Sequence, residues 1–131
     1  MTFSVCLILT VVWFVFMTYL SHQTGESTGR ASRQLAESLW FLSDDAEALN
    51  MALRRFAHIL VFAVLTVLLS RTVTLGNLPR WVLLLPVMLS YVDEATKPWI
   101  QGRHFSWFDV GLNLVGTAVG GLIFALLSRM F

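Results

Sequence analysis

From Phe3 to Leu20 the chain carries no charged residue. A bilayer core of about 30 Å asks for roughly 17–25 apolar residues in one helix, at about 1.5 Å per residue. Three further segments have the same character, at about 56–75, 81–97 and 107–128. A chain of 131 residues with 56% hydrophobic and 13% charged residues is too small to turn that much apolar surface inward. The expectation is one all-α domain, a four-transmembrane-helix bundle with both termini on the same side. Its place is the cell membrane, as a multi-pass protein.

The first segment has a rival reading as a signal peptide. No basic stretch precedes it and no small-x-small cleavage site follows, so an uncleaved helix is expected. Cys6 is the single cysteine, which excludes an internal disulfide. No basic stripe or nucleic-acid module is present, so nucleic acid is not an expected partner. The tryptophans Trp13, Trp81, Trp99 and Trp107 fall mostly near predicted helix ends, as an interfacial aromatic belt would place them. Pro86 is expected to kink the third helix, and Pro98 follows its end at Lys97.

The first loop is long. Residues 21–33 are polar and rich in Ser, Thr and Gly, and read as a connection. In residues 34–53, Leu35, Leu39, Phe41, Leu42, Ala46, Leu49 and Leu53 recur at roughly helical spacing, interrupted by Glu37, Asp44, Asp45 and Glu47. One or two short amphipathic helices lying on the membrane or capping the bundle fit this pattern. An ordinary polar connection fits it equally. The second loop, GNLPR, is a tight turn. The basic residues favour loops one and three inside: Arg30, Arg33, Arg54, Arg55, Lys97 and Arg103 lie on that side, against Arg71, Arg80 and Arg129.

The third apolar segment ends in YVDEATK. An acid at a helix centre costs about 2.5–3.5 kcal/mol on the insertion scale, so Asp93 and Glu94 together would cost roughly 5–7 kcal/mol. The Leu and Val residues from Val82 to Val92 return only about 2–4 kcal/mol. The two acids therefore sit near an interface or have partners. Lys97 is i+4 from Asp93 and i+3 from Glu94, on one helical face. A solvated salt bridge at the membrane edge is one reading; an acidic cluster facing an internal cavity is the other. His58 lies a few residues into the second helix, with Arg55 at i−3 and Arg54 at i−4 on the same face. It is either an interfacial histidine or a partner for the acids.

In the last segment Ser106 and Asp109 have capping-box spacing, so Asp109 is a helix-start signal or a site acid. Asn113 is one turn deeper, and a buried amide requires a hydrogen-bond partner inside the bundle. Gly116 and Gly120 form G-x-x-x-G, which suits close helix packing within the chain or a homo-oligomer contact. Gly102 suits a turn that presents Arg103 to an anion or carboxylate.

Taken in order, these pieces resemble the VanZ-like membrane protein family. LSHQTGESTGRAS is similar to that family's Ser-x-Gln element and later serines, here Ser21, Gln23, Ser27 and Ser32. LRRFAHILVFAVL is similar to its basic–x–Ala-His pattern, here Arg54, Arg55, Ala57 and His58. DEATKPWIQGRHFSWFDVGLNLVGTAVG resembles its Asp-Glu…Gly-Arg…Asp-x-x-x-Asn-x-x-Gly signature, on Asp93, Glu94, Gly102, Arg103, Asp109, Asn113 and Gly116. The chain departs from the family pattern where Val61 and Phe62 replace Glu-Tyr, where Lys97 replaces a glutamine, and where Gln101 replaces a proline. The resemblance implies a small cell-envelope protein, of a family whose founding member is linked to low-level teicoplanin resistance. An envelope role would place the polar motifs on the outer face, opposite to the charge count.

Three functions are compatible with these residues. In the first, Arg55, His58, Asp93, Glu94, Arg103, Asp109 and Asn113 line a polar cavity that binds or modifies an anionic envelope component. Membrane lipids or a lipid-linked cell-wall precursor would be the partners. In the second, an enzyme uses His58 as a general base oriented by Asp93 or Glu94, with Arg103 facing developing negative charge. No nucleophile is paired with these groups. In the third, the acids serve proton-coupled transport. No metal-binding spacing such as HExxH is present, and neither a metal nor a cofactor is expected.

Overall fold

A computed structural model describes residues 1–39, 41 and 45–130. Among these, five α-helices and no strand are present: α1 (Phe3–Ser21), α2 (Gly25–Ser38), α3 (Ala46–Leu75), α4 (Leu85–Thr96) and α5 (Trp107–Met130). Two 3-10 runs, Arg80–Leu84 and Lys97–Trp99, flank α4. The helices α1, α3 and α5 are each long and apolar enough to cross a membrane. The segment expected as a third crossing helix over 81–97 is a composite of 3-10, α and 3-10 turns instead. Pro86 explains the break. It stands in the first turn of α4, where its missing N–H leaves nothing unpaired, so the residues before it close into tighter turns rather than extend one kinked helix.

The first loop also differs from expectation. Helix α2 occupies the Ser/Thr/Gly-rich stretch read as a connection, because Thr24 caps it: its Oγ1 accepts the Ser27 N–H at 3.3 Å, and Glu26 sits in the first turn. The stretch 34–53, expected as amphipathic helices of its own, is shared between the end of α2 and the start of α3. Asp45 sets that start at Ala46 rather than near 56, since its Oδ1 accepts the N–H groups of Glu47 and Ala48, each at 3.0 Å. Leu42 and Asp44 lie outside the described residues.

Helix α3 is the central element, packed against α1, α2, α4 and α5. Polar contacts sit on the inside of these seams. The Thr10 and Thr72 hydroxyls share a 3.0 Å hydrogen bond, and Trp13 Nε1 donates to Val61 O at 2.9 Å. Trp13 is therefore a mid-helix interior donor rather than a belt residue, whereas Trp81, Trp99 and Trp107 are exposed. Ile8, Val12 and Val15 on the opposite face of α1 are about as exposed as Trp81. Polar groups inside and large aliphatics outside is the arrangement that suits a lipid surround.

The seam between α3 and α5 is closest at two glycines. A Cβ on Gly116 would stand 2.3 Å from Ile59 O, and one on Gly120 would stand 2.3 Å from Ala63 O. The G-x-x-x-G pair thus serves packing within the chain, and α3 covers the face that a second copy would need. Val110 and Asn113 continue the same buried stripe toward the start of α5.

Candidate functional site

The buried stripe of α4 is polar at its C-terminal end. Pro86, Ser90, Asp93, Glu94 and Lys97 follow helical spacing and are all buried. Glu94 is 0% exposed and Lys97 is 2% exposed. The Lys97 ammonium pairs with Glu94 Oε1 and lies 3.8 Å from Asp93 Oδ2. YVDEATK therefore ends in a buried ion cluster rather than a solvated edge bridge. Glu94 Oε2 has no hydrogen-bond partner among the described residues.

His58 on α3 faces α5. Its Nδ1–H donates to Asn113 Oδ1 at 2.9 Å, and its Nε2 lies 3.9 Å from Asp109 Oδ2. Asn113 is 0% exposed, and its Nδ2 has no partner among the described residues. Asp109 has two functions in this geometry. Its N–H donates to Ser106 Oγ at 3.2 Å, which caps the helix, while its carboxylate turns inward to the histidine. Donor atoms of His58, Glu94 and Asp109 all lie within 4.8 Å of one another, so three helices contribute to one point.

Arg103 closes the site from the loop between α4 and α5. Gly102 adopts φ +75°, a left-handed conformation open to glycine at little cost. That turn packs on the start of α2 so tightly that a Cβ on Gly25 would stand 2.3 Å from Gly102 O. The turn aims Arg103 at α2, where its Nε–H donates to Gln23 O at 3.1 Å and its Nη2–H to Thr28 Oγ1 at 2.8 Å. Burial first, and then the neighbouring Arg54 charge, push the Arg103 guanidinium below its usual value, while Glu94, Asp93 and Asp109 pull it back up.

A cavity of about 360 Å³ opens between these elements. Arg54, His58, Asp93, Lys97 and Arg103 line its charged side, with Ser21 and Gln23 beside them. Met17, Leu20, Leu35, Leu53, Val61 and Phe62 form an apolar wall. Ser21 Oγ is buried there without a partner among the described residues. Arg55 lies elsewhere, with its guanidinium carbon 5.0 Å from the centre of the Phe108 ring. Arg54 takes the cavity position. Its spacing four residues before His58 was a signal it shared with Arg55, since offsets of three and four both put a side chain on the histidine's helical face. Gly25 and Thr28 gave no such signal, because their roles depend on a loop about 75 residues away in the chain.

A family model described as VanZ/LLP1 matches residues 5–128. No curated protein and no solved structure matches the chain significantly.

Proposed function

The chain belongs to the VanZ/LLP1 family, and on that premise we propose that it is a cell-membrane protein that binds an anionic, lipid-linked component of the envelope. The observation that carries this reading is the cavity's mixed lining of basic and apolar side chains. The basic side chains of Arg54, Lys97 and Arg103 line it together with aliphatic and aromatic side chains. A phosphate headgroup suits the guanidinium pair and the free Ser21 hydroxyl, and a hydrocarbon tail suits the wall. Among the described residues Asp93 is the one acid on the cavity, and Lys97 lies beside it.

Four crossings suit this role. The run from Arg80 to Thr96 has about 28 Å of helical rise, close to the roughly 30 Å of a bilayer core, if its 3-10 and α parts are collinear. With four crossings both termini lie on one side and the connections carrying α2 and Arg103 on the other, and the ion cluster of α4 lies near that second interface. Binding at the envelope is the route by which the protein would alter glycopeptide (teicoplanin) susceptibility. A second reading, in which His58 acts as a general base on the bound lipid, is favoured by one observation: Asn113 orients its ring inside hydrogen-bond reach.

The test is lipid binding by purified protein in neutral nanodiscs, read by native mass spectrometry. The probes are a polyprenyl phosphate, phosphatidylglycerol and the uncharged polyprenol. Polyprenyl phosphate is expected to be retained at least about tenfold better than polyprenol, a difference of about 1.4 kcal/mol. Arg54→Gln and Arg103→Gln should each remove that preference. Equal retention of charged and uncharged lipid would sink the reading. Preference for phosphatidylglycerol over polyprenyl phosphate would assign the site to bulk lipid rather than an envelope precursor.

A further inference from the structure

We propose that His58, Glu94 and Asp109 form a binding site for one first-row divalent cation of the zinc or manganese class. This inference shares His58 with the cavity's lining but does not rest on the lipid reading, since its test below reads metal uptake by the protein without added lipid.

The histidine is set up as a ligand. Its Nδ1–H is engaged by Asn113 Oδ1 at 2.9 Å, so in the neutral ring the lone pair is on Nε2. A ligating histidine that donates its other N–H to a carbonyl is the usual outer-shell arrangement, because it fixes both tautomer and ring orientation. Nε2 then faces Asp109 Oδ2 across 3.9 Å with an acceptor at each end. Two acceptors facing each other call for a proton or a cation between them. Ligand atoms on a tetrahedral centre with bonds of about 2.0–2.1 Å are roughly 3.3–3.5 Å apart, so little movement closes this pair on a metal.

Glu94 supplies the third donor and the independent sign of a ligand. Lys97 holds Oε1, which orients the carboxylate, and Oε2 is left without a partner among the described residues on a side chain that is 0% exposed. An orphaned carboxylate oxygen at that depth is costly unless something positive meets it. The three donor atoms already lie within 4.8 Å of one another. The local charge balance points the same way. Among the described residues, Lys97 is the only basic side chain in ion-pair contact with Asp93 and Glu94, while Arg103 is taken up by Gln23 and Thr28. One imidazole and two carboxylates are borderline donors that favour zinc, manganese or ferrous iron over magnesium, which keeps its waters.

The experiment uses tag-free, full-length protein in detergent, dialysed and then loaded with zinc or manganese chloride. Metal content by mass spectrometry and the shift in thermal unfolding are both read. One equivalent per chain and a rise in unfolding temperature are expected, with magnesium giving neither. Glu94→Gln and Asp109→Asn should each weaken binding at least tenfold, and Asn113→Leu, through the histidine it orients, about 10–100-fold. His104→Ala, which removes an exposed imidazole outside the site, should bind as wild type does. Wild-type protein that takes up no zinc or manganese at about 100 µM free metal overturns the proposal, and needs no variant to fold. Unchanged binding in both Glu94→Gln and Asp109→Asn, or loss of binding in His104→Ala, overturns it as well.

Discussion

His58 Nδ1 and Asn113 Oδ1 are joined by a 2.9 Å hydrogen bond that ties α3 to α5. The two residues are far apart in sequence, and each would be an expensive polar group on a lipid-facing helix. Together they satisfy one another at the buried seam just before the helices come into backbone contact at Gly116.

Their coupling is measurable. Asn113→Leu leaves the histidine donor unpaired and should lower stability by about 1–2 kcal/mol. Removing both partners in His58→Phe/Asn113→Leu should cost less than the two single losses added together, by about 0.5–1.5 kcal/mol. Thermal or denaturant unfolding of the four proteins in one detergent checks the cycle; strict additivity would show that the bond carries no net energy.

The glycines of α5 separate into two kinds. Gly116→Ala and Gly120→Ala place a methyl group against α3 backbone and should destabilise by about 1–3 kcal/mol. Gly111 and Gly121 have nothing within 4 Å of an added Cβ, so alanine there should be neutral or stabilising by up to about 1 kcal/mol. Unfolding temperatures of the four single variants are the measurement, and similar effects at all four would contradict the α3–α5 contact.

Lys97 neutralises buried acid. Lys97→Met leaves Glu94 without its partner and should cost about 3–5 kcal/mol. Lys97→Met/Glu94→Gln should recover part of that loss, because the charge of Glu94 is then gone while Asp93 still lacks the lysine. Expression level in membranes and unfolding of the purified variants report the ordering; a double variant as unstable as the single one would mean that packing, not charge, sets the cost.

Arg103 fastens α2 through two separate donors. A lysine has a single ammonium and no planar fork, so Arg103→Lys should lose at least one of the bonds to Gln23 O and Thr28 Oγ1. Amide exchange across residues 25–38 should then rise about tenfold or more, with α5 little changed. Unaltered protection of α2 would show that the Gly25–Gly102 contact alone holds it.

Much of the architecture was legible from hydropathy. The bounds of α1 depend on an uninterrupted apolar run and those of α5 on a mostly apolar run that also carries Asp109 and Asn113, and neither needs knowledge of neighbours. Where capping decided the outcome, hydropathy failed. Thr24 and Asp45 turn polar sequence into the starts of α2 and α3, and nothing in an apolar count registers a side-chain oxygen accepting backbone N–H groups. Pro86 was visible, but whether it kinks a long helix or opens a short one depends on the turns before it. Within the polar motifs, spacing could put Lys97 on the same face as Asp93 and Glu94. It could not choose between Arg54 and Arg55 for the cavity, since both adjoin His58 on the helical wheel and only the position of Phe108 draws Arg55 away.

The sequence by itself determined that this chain is helical and membrane-bound and that its acids need partners, because the cost of placing charge in hydrocarbon is a local property of each segment. Only the tertiary structure decided which partners: His58 with Asn113 and Asp109, Glu94 with Lys97, Arg103 with α2. Those choices are made by the close approach of α3 and α5 at Gly116 and Gly120, which sets the helix register and so determines which buried polar groups come within reach of one another.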